Sequence, residues 1–193
     1  MLVKLQDETV LFLGSSVTYG SLSGGVSFAD YMARQCDIHM IKEAVPGTTL
    51  SDVDDQSYVA RLKRVERTLP VGLFICQLST NDAARNLPLN KIEEAIRFIY
   101  GFVDATWHCP QVFFTNTQFN YPFASHYVSM MDLLQKLQKE LSFAVLNLWN
   151  DSDMLSVNSK DYARYMADQV HPTGEGYEHW WTPKFVDFCT RLP

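Results

Sequence analysis

Five short apolar runs constrain this 193-residue chain more than any other feature. They are Val10–Leu13, Ile38–Ile41, Val71–Leu78, Val112–Thr115 and Ala144–Leu148. A strand with one face in water alternates apolar and polar residues. These runs are continuous, as in parallel strands covered by helices on both faces. Helical spacings lie between them. Ile92, Ile96, Ile99 and Val103 share one face, preceded by Asn90 and Glu93, which read as a capping box. Val128, Met131, Leu134 and Leu137 recur likewise. Further helices are predicted from Ser27, across Tyr58–Leu69, near Tyr162–Met166 and at the C-terminus, where Thr182 reads as a cap and Pro183 as a first-turn residue. Strands alternating with helices predict an α/β fold with a parallel sheet and right-handed crossovers. The length and the lack of repeats or linkers predict one domain over residues 1–193.

Composition narrows the function. A formal net charge of −6 argues against a nucleic-acid partner. No apolar run approaches the ~20 residues of a membrane span, and "MLVKLQDETV" has no apolar core of a signal peptide. Cys36, Cys76, Cys109 and Cys189 are scattered, with no C-x-x-C pair, so a reduced, cytoplasmic protein is expected. No His/Cys/Asp spacing points to a metal. Asn150–Val170 is a long polar stretch without a strand, and such stretches are usually functional or disordered.

Ligands of doubly wound sheets bind beyond the carboxyl ends of the strands. The residues after each run are therefore the candidates. Gly14, Ser15 and Ser16 follow the first. Pro46-Gly47, a type II turn signal, follows the second. Asn81 follows the third, "NTQFNYPF" the fourth, and "DQVHPTGEGY" comes after the long segment. A serine, a bare glycine amide, a carboxamide and a histidine near an aspartate are the parts for acyl transfer. His171 can take a serine proton, and Asp168 can fix its tautomer. The backbone N–H groups of Ser16 and Gly47 and the Asn81 side-chain amide can donate to an oxyanion. These residues alone leave open whether Ser15 or Ser16 is the nucleophile.

The same positions resemble a known family, the SGNH (GDSL-type) hydrolases, over nearly the whole chain. Gly14-Ser15-Ser16-Val17-Thr18 resembles its first block, Ala44-Val45-Pro46-Gly47 its second and Ser79-Thr80-Asn81-Asp82 its third. Asp168 to Pro172 matches its D-x-x-H-P block. The resemblance implies a flavodoxin-like three-layer α/β/α sandwich with a five-stranded parallel sheet in the order 2-1-3-4-5. It implies Ser16 as nucleophile, with His171 and Asp168 completing a triad, and an oxyanion hole from Ser16, Gly47 and Asn81. Neither cofactor nor metal is implied. Three residues depart from the pattern: Ser15 stands for an aspartate, and Ala44 and Ser79 for glycines. In the implied order strand five lies three steps from strand one, ~14 Å at ~4.8 Å per step. The long segment Asn150–Val170 would then carry His171 back.

The expected activity is a serine carboxylic-ester hydrolase acting on a small-molecule ester with a short acyl group, such as an acetylated carbohydrate. "SLSGGVS" and "NTQFNYPF", polar and aromatic, are expected to line its pocket. Two rivals are a flavodoxin-like domain using "GSSVTYG" as a phosphate loop and a catalytically silent ester-binding module. His108-Cys109, on the opposite end of the sheet, reads as structural rather than as a Cys–His dyad, His179 reads as a surface residue of the terminal helix, and His39 and His126 have no partner legible in the sequence. Tyr177, Trp180, Trp181, Phe185 and Phe188 read as core or as a contact in a homo-oligomer.

Overall fold

The computed structural model describes residues 5–192. Its five strands are β1 (Thr9–Gly14), β2 (His39–Ala44), β3 (Leu73–Gln77), β4 (Gln111–Phe114) and β5 (Ala144–Leu146). They form one parallel sheet in the order β2-β1-β3-β4-β5. The expected order is the observed one. β1, β3 and β4 are buried almost throughout, whereas β2 is only half-buried and begins at the exposed His39. β2 is thus an edge strand rather than a fully covered one. It also runs three residues beyond the apolar run, through Lys42 and Glu43, charges that suit a sheet edge.

Neighbouring residues on one strand face different helical layers, as the two-residue period demands. On β4, Phe114 packs edge-on to Phe28 and Phe185, while Phe113 meets Phe143, itself beside Tyr100. Phe28 belongs to α2 (Phe28–Cys36) and Phe185 to α10 (Thr182–Thr190), which pack together. Tyr100 belongs to α5 (Leu89–Trp107), which packs on α6 (Ala124–Leu141) and on α3 (Tyr58–Leu62). Phe28 stacks on Phe185 with centroids 3.9 Å apart and also touches Phe12 and Trp181. Truncating Phe28 to Ala would cost about 3–5 kcal/mol. Tyr177, Trp181 and Phe185 are fully buried and Trp180 nearly so, with Phe188 packed against them. The aromatic cluster is core.

The helix ends depart from expectation in instructive ways. α2 starts behind Ser27 as expected, and Ser27 caps it in a capping box with Asp30. The box at Asn90 and Glu93 does not form. α5 starts at Leu89 behind Pro88, and Glu93 accepts from Arg97 at 2.9 Å instead. On α6 Val128 is exposed and Tyr127 takes the buried position. α3 stops at Leu62, after which Arg64 and Val65 bond only three residues back. Thr182 is not a cap. Thr173 opens that helical stretch, accepting from the Gly176 N–H, and α9 (Gly174–Gly176) leads into a π-helical turn over Tyr177–Trp181. The Thr182 hydroxyl then donates to the Tyr177 carbonyl at 2.7 Å. Such a turn lets the helix absorb Pro183, which has no N–H to give.

Among the described residues no helix is long and apolar enough to cross a membrane. All four cysteines are unpaired.

Candidate active site

β1 ends at Gly14 and the chain turns at once into α1 (Ser16–Tyr19), a single helical turn. Gly14 is required here: a Cβ would sit 2.0 Å from the Thr18 hydroxyl oxygen. The two serines diverge at this turn. Ser15 is fully buried, its N–H donating to Gln77 Oε1 at 3.0 Å. The Thr18 hydroxyl donates to the same oxygen at 2.9 Å. Ser16 is partly exposed, with its hydroxyl 2.8 Å from His171 Nε2. The polar Gln77 inside the apolar "GLFICQL" is the sequence signal for this anchor.

His171 arrives from the far edge of the sheet. After β5 the chain forms α7 (Ser152–Leu155), capped by Asp151, and α8 (Ser159–Tyr165), capped by Asn158. The long segment therefore holds two short helices where one was expected. A bridge between Met166 and Pro172 closes the loop that follows, with Ala167 N–H donating to the His171 carbonyl at 2.9 Å. Within that loop Asp168 Oδ1 accepts from the N–H groups of Val170 and His171 at 2.6 and 2.7 Å. Its Oδ2 lies 2.9 Å from His171 Nδ1. A carboxylate can only accept, so Nδ1 carries the proton and Nε2 is free to accept from Ser16. Burial pushes the Asp168 carboxyl up, but the bonds from the His171 ring and the two backbone N–H groups outweigh it and hold it below its ordinary value. Asn116, just after β4, donates to the Val170 carbonyl at 3.1 Å, and Tyr177 donates to the Val17 carbonyl at 2.7 Å. Sequence reading singled out neither as an anchor.

Gly47 occupies the left-handed region (φ +78°) at the third position of a turn closed by Thr48 N–H to the Val45 carbonyl. That is the geometry of the type II turn read from Pro46-Gly47. Asn81 lies on α4 (Thr80–Ala84), and Ser79 caps that helix with its hydroxyl, accepting from the Asn81 and Asp82 N–H groups. The serine in place of a glycine thus has work of its own. Asn81 Nδ2 donates to the Thr48 carbonyl at 2.8 Å, which leaves its second hydrogen free. The buried Asp82 carboxylate accepts from the N–H groups of Leu50 and Ser51 at 2.7 and 2.9 Å, fixing the chain that follows the Gly47 turn. The N–H groups of Ser16 and Gly47 have no protein acceptor among the described residues.

A groove of about 510 Å³ lies beside the Asp168 loop, lined by Gln118, Phe119, Asn120, Tyr162 and Gln169. Three of these come from "NTQFNYPF" and none from "SLSGGVS". The other histidines stay apart: His108 is exposed against Asp104, and His126 bonds the Leu87 carbonyl. Among the described residues no group of three or more His, Cys, Asp and Glu could hold a metal ion.

Solved structures share this fold. One is a protein from Lactobacillus plantarum, with a TM-score of 0.81 at 16% identity over 95% of this chain and 96% of that one. A member of the lipolytic protein G-D-S-L family from Veillonella parvula DSM 2008 gives a TM-score of 0.74 at 14% identity, over 96% and 99%. An acetylxylan esterase from Geobacillus stearothermophilus gives 0.72 at 13% identity, over 96% and 95%. No curated protein sequence matches the chain. The family model of GDSL-like lipases and acylhydrolases matches residues 12–179, from the middle of β1 to beyond His171, and the chain belongs to that family.

Proposed function

We propose that the protein is a serine carboxylic-ester hydrolase with Ser16 as nucleophile. The observation that carries this reading is the hydrogen-bonded series Ser16, His171, Asp168, at 2.8 and 2.9 Å across 155 residues of sequence. His171 Nε2 takes the Ser16 proton as Oγ attacks the ester carbonyl. Asp168 stabilises the imidazolium without taking its proton. The carbonyl oxygen gathers negative charge, and the free N–H groups of Ser16 and Gly47 with the spare Asn81 hydrogen are the donors assigned to it. When the tetrahedral adduct collapses, the C–O bond to the alcohol breaks and His171 returns the proton to that oxygen. Water then attacks the acyl-serine with His171 as base, releasing the acid and restoring Ser16.

The substrate class is a small-molecule ester with a short acyl group. The groove beside Asp168 is walled by Gln118, Asn120 and Gln169 with two aromatic residues, Phe119 and Tyr162, a lining suited to a polar alcohol such as a sugar. One structural neighbour is an acetylxylan esterase, which favours testing acetylated carbohydrates first. Ser16→Ala should abolish turnover of p-nitrophenyl acetate and labelling by a fluorophosphonate, while the circular-dichroism spectrum stays that of wild type. Undiminished labelling of Ser16→Ala would reassign the nucleophile.

A further inference from the structure

Arg61 is buried, with only 3% of its surface accessible, and the acyl-transfer chemistry above makes no use of it. Its guanidinium spreads over the ends of two strands and the turn between them. Nη2 donates to the Gly14 carbonyl at 2.7 Å and to the Thr48 hydroxyl at 3.3 Å, Nη1 donates to the Glu43 carbonyl, and Nε donates to the Gln56 carbonyl at 2.9 Å. Gly14 lies two residues before Ser16, and Thr48 directly follows Gly47. Thr48 also donates its hydroxyl to the Val45 carbonyl at 2.7 Å and receives Asn81 on its own carbonyl. Thr48 thus ties together two of the three oxyanion donors, Gly47 and Asn81, and Arg61 links it to Gly14 at the start of the Ser16 turn.

We propose that Arg61 is a positioning residue for the ester reaction: its planar fork holds the Gly47 turn in register with the Ser16 turn, so that their N–H groups converge on one oxyanion. A buried cation is costly unless its surroundings answer it. Here the answer is three backbone carbonyls and a hydroxyl, and none of these acceptors is a carboxylate. The Tyr58 ring lies 5.2 Å from the guanidinium carbon and adds a cation–π contact. A clamp built only to stabilise could use an ion pair. A fork satisfied by strand-end carbonyls fixes geometry. A lysine keeps the charge but offers no planar fork.

The proposal rests on the esterase reading for its kinetic arm alone. Arg61→Lys and Arg61→Met are compared with wild type on p-nitrophenyl acetate, with active sites counted by fluorophosphonate. Arg61→Lys should lose about tenfold to 100-fold in kcat per titrated site, the scale of a displaced catalytic group, with KM little changed and Arg61→Met lower still. Crystal structures should show the Pro46–Gly47 turn moved away from Ser16 in both. Variants that melt earlier but keep kcat per site within about twofold would make Arg61 a stabilising residue only and overturn the proposal. Where Arg61→Met does not fold, Arg61→Lys decides. A wild-type protein that turns over no ester would sink the esterase reading instead. The clamp would then stand or fall on the turn's position in Arg61→Lys, and an unmoved turn would overturn it.

Discussion

The two halves of the site are held in different ways. The Ser16 side is built from the middle of the sheet, where β1 and β3 end among buried polar groups: Gln77 under the Ser15 turn, Asp82 under the chain after Gly47, Arg61 between them. The His171 side hangs on a short loop at the end of a half-exposed excursion, Asn150–Tyr165, whose helix α8 buries no residue. That loop is ordered mainly by itself, through Asp168 and the Met166–Pro172 bridge, with Asn116 reaching it from β4. Electrostatic stabilisation of a developing charge needs donors already in place, because their reorganisation would be charged to the barrier. A base that must receive a proton and hand it on tolerates a looser mount. Local opening should accordingly start at the His171 loop and reach the Gly47 turn last.

The largest blow to that contrast comes from the rigid side. Asn81→Ala should fold, since Ser79 still caps α4, and should lose about 10²–10³-fold in kcat. A rate within about threefold of wild type would remove Asn81 from the reaction and leave the Ser16 side with no special claim to rigidity.

A smaller effect is expected from loosening the His171 side. Asn116→Ala removes the Nδ2 bond to the Val170 carbonyl and should slow turnover by about tenfold, a fraction of what displacing a catalytic group can cost. Amide exchange should rise in residues 167–171 and stay unchanged around Gly47. Equal loosening of both regions would contradict the contrast.

The smallest effect is a pH dependence of stability. The Asp168 carboxyl is held below its ordinary value in the folded protein. Its contribution is therefore fully present above the unfolded value, ~3.9. It is lost as pH falls through the lowered folded value. The gap in Tm between wild type and Asp168→Asn should be flat above about pH 5 and shrink below about pH 4. A gap that widens on acidification would mean that the loop does not hold Asp168 ionised.

The sequence by itself determined the sheet, its strand order through the family resemblance, and the residues that meet at its carboxyl edge. Those signals are local: continuous apolar runs, a Pro-Gly turn, an Asp three residues before a His. It misplaced what depends on competition between neighbours. Glu93 pairs with Arg97 rather than capping α5, and Val128 yields its place to Tyr127.

The family resemblance implied Ser16, but only the tertiary structure showed why that serine faces the histidine and how the Gly47 turn is held. Ser15 and Ser16 are chemically alike, and the sharp turn after β1 sends one into the core and the other to His171. Arg61 acts mostly on backbone carbonyls, at Gly14, Glu43 and Gln56. Every residue has such a carbonyl, so those bonds leave no mark in the side chains they join. The partners of a buried fork become visible only when strands distant in sequence end side by side.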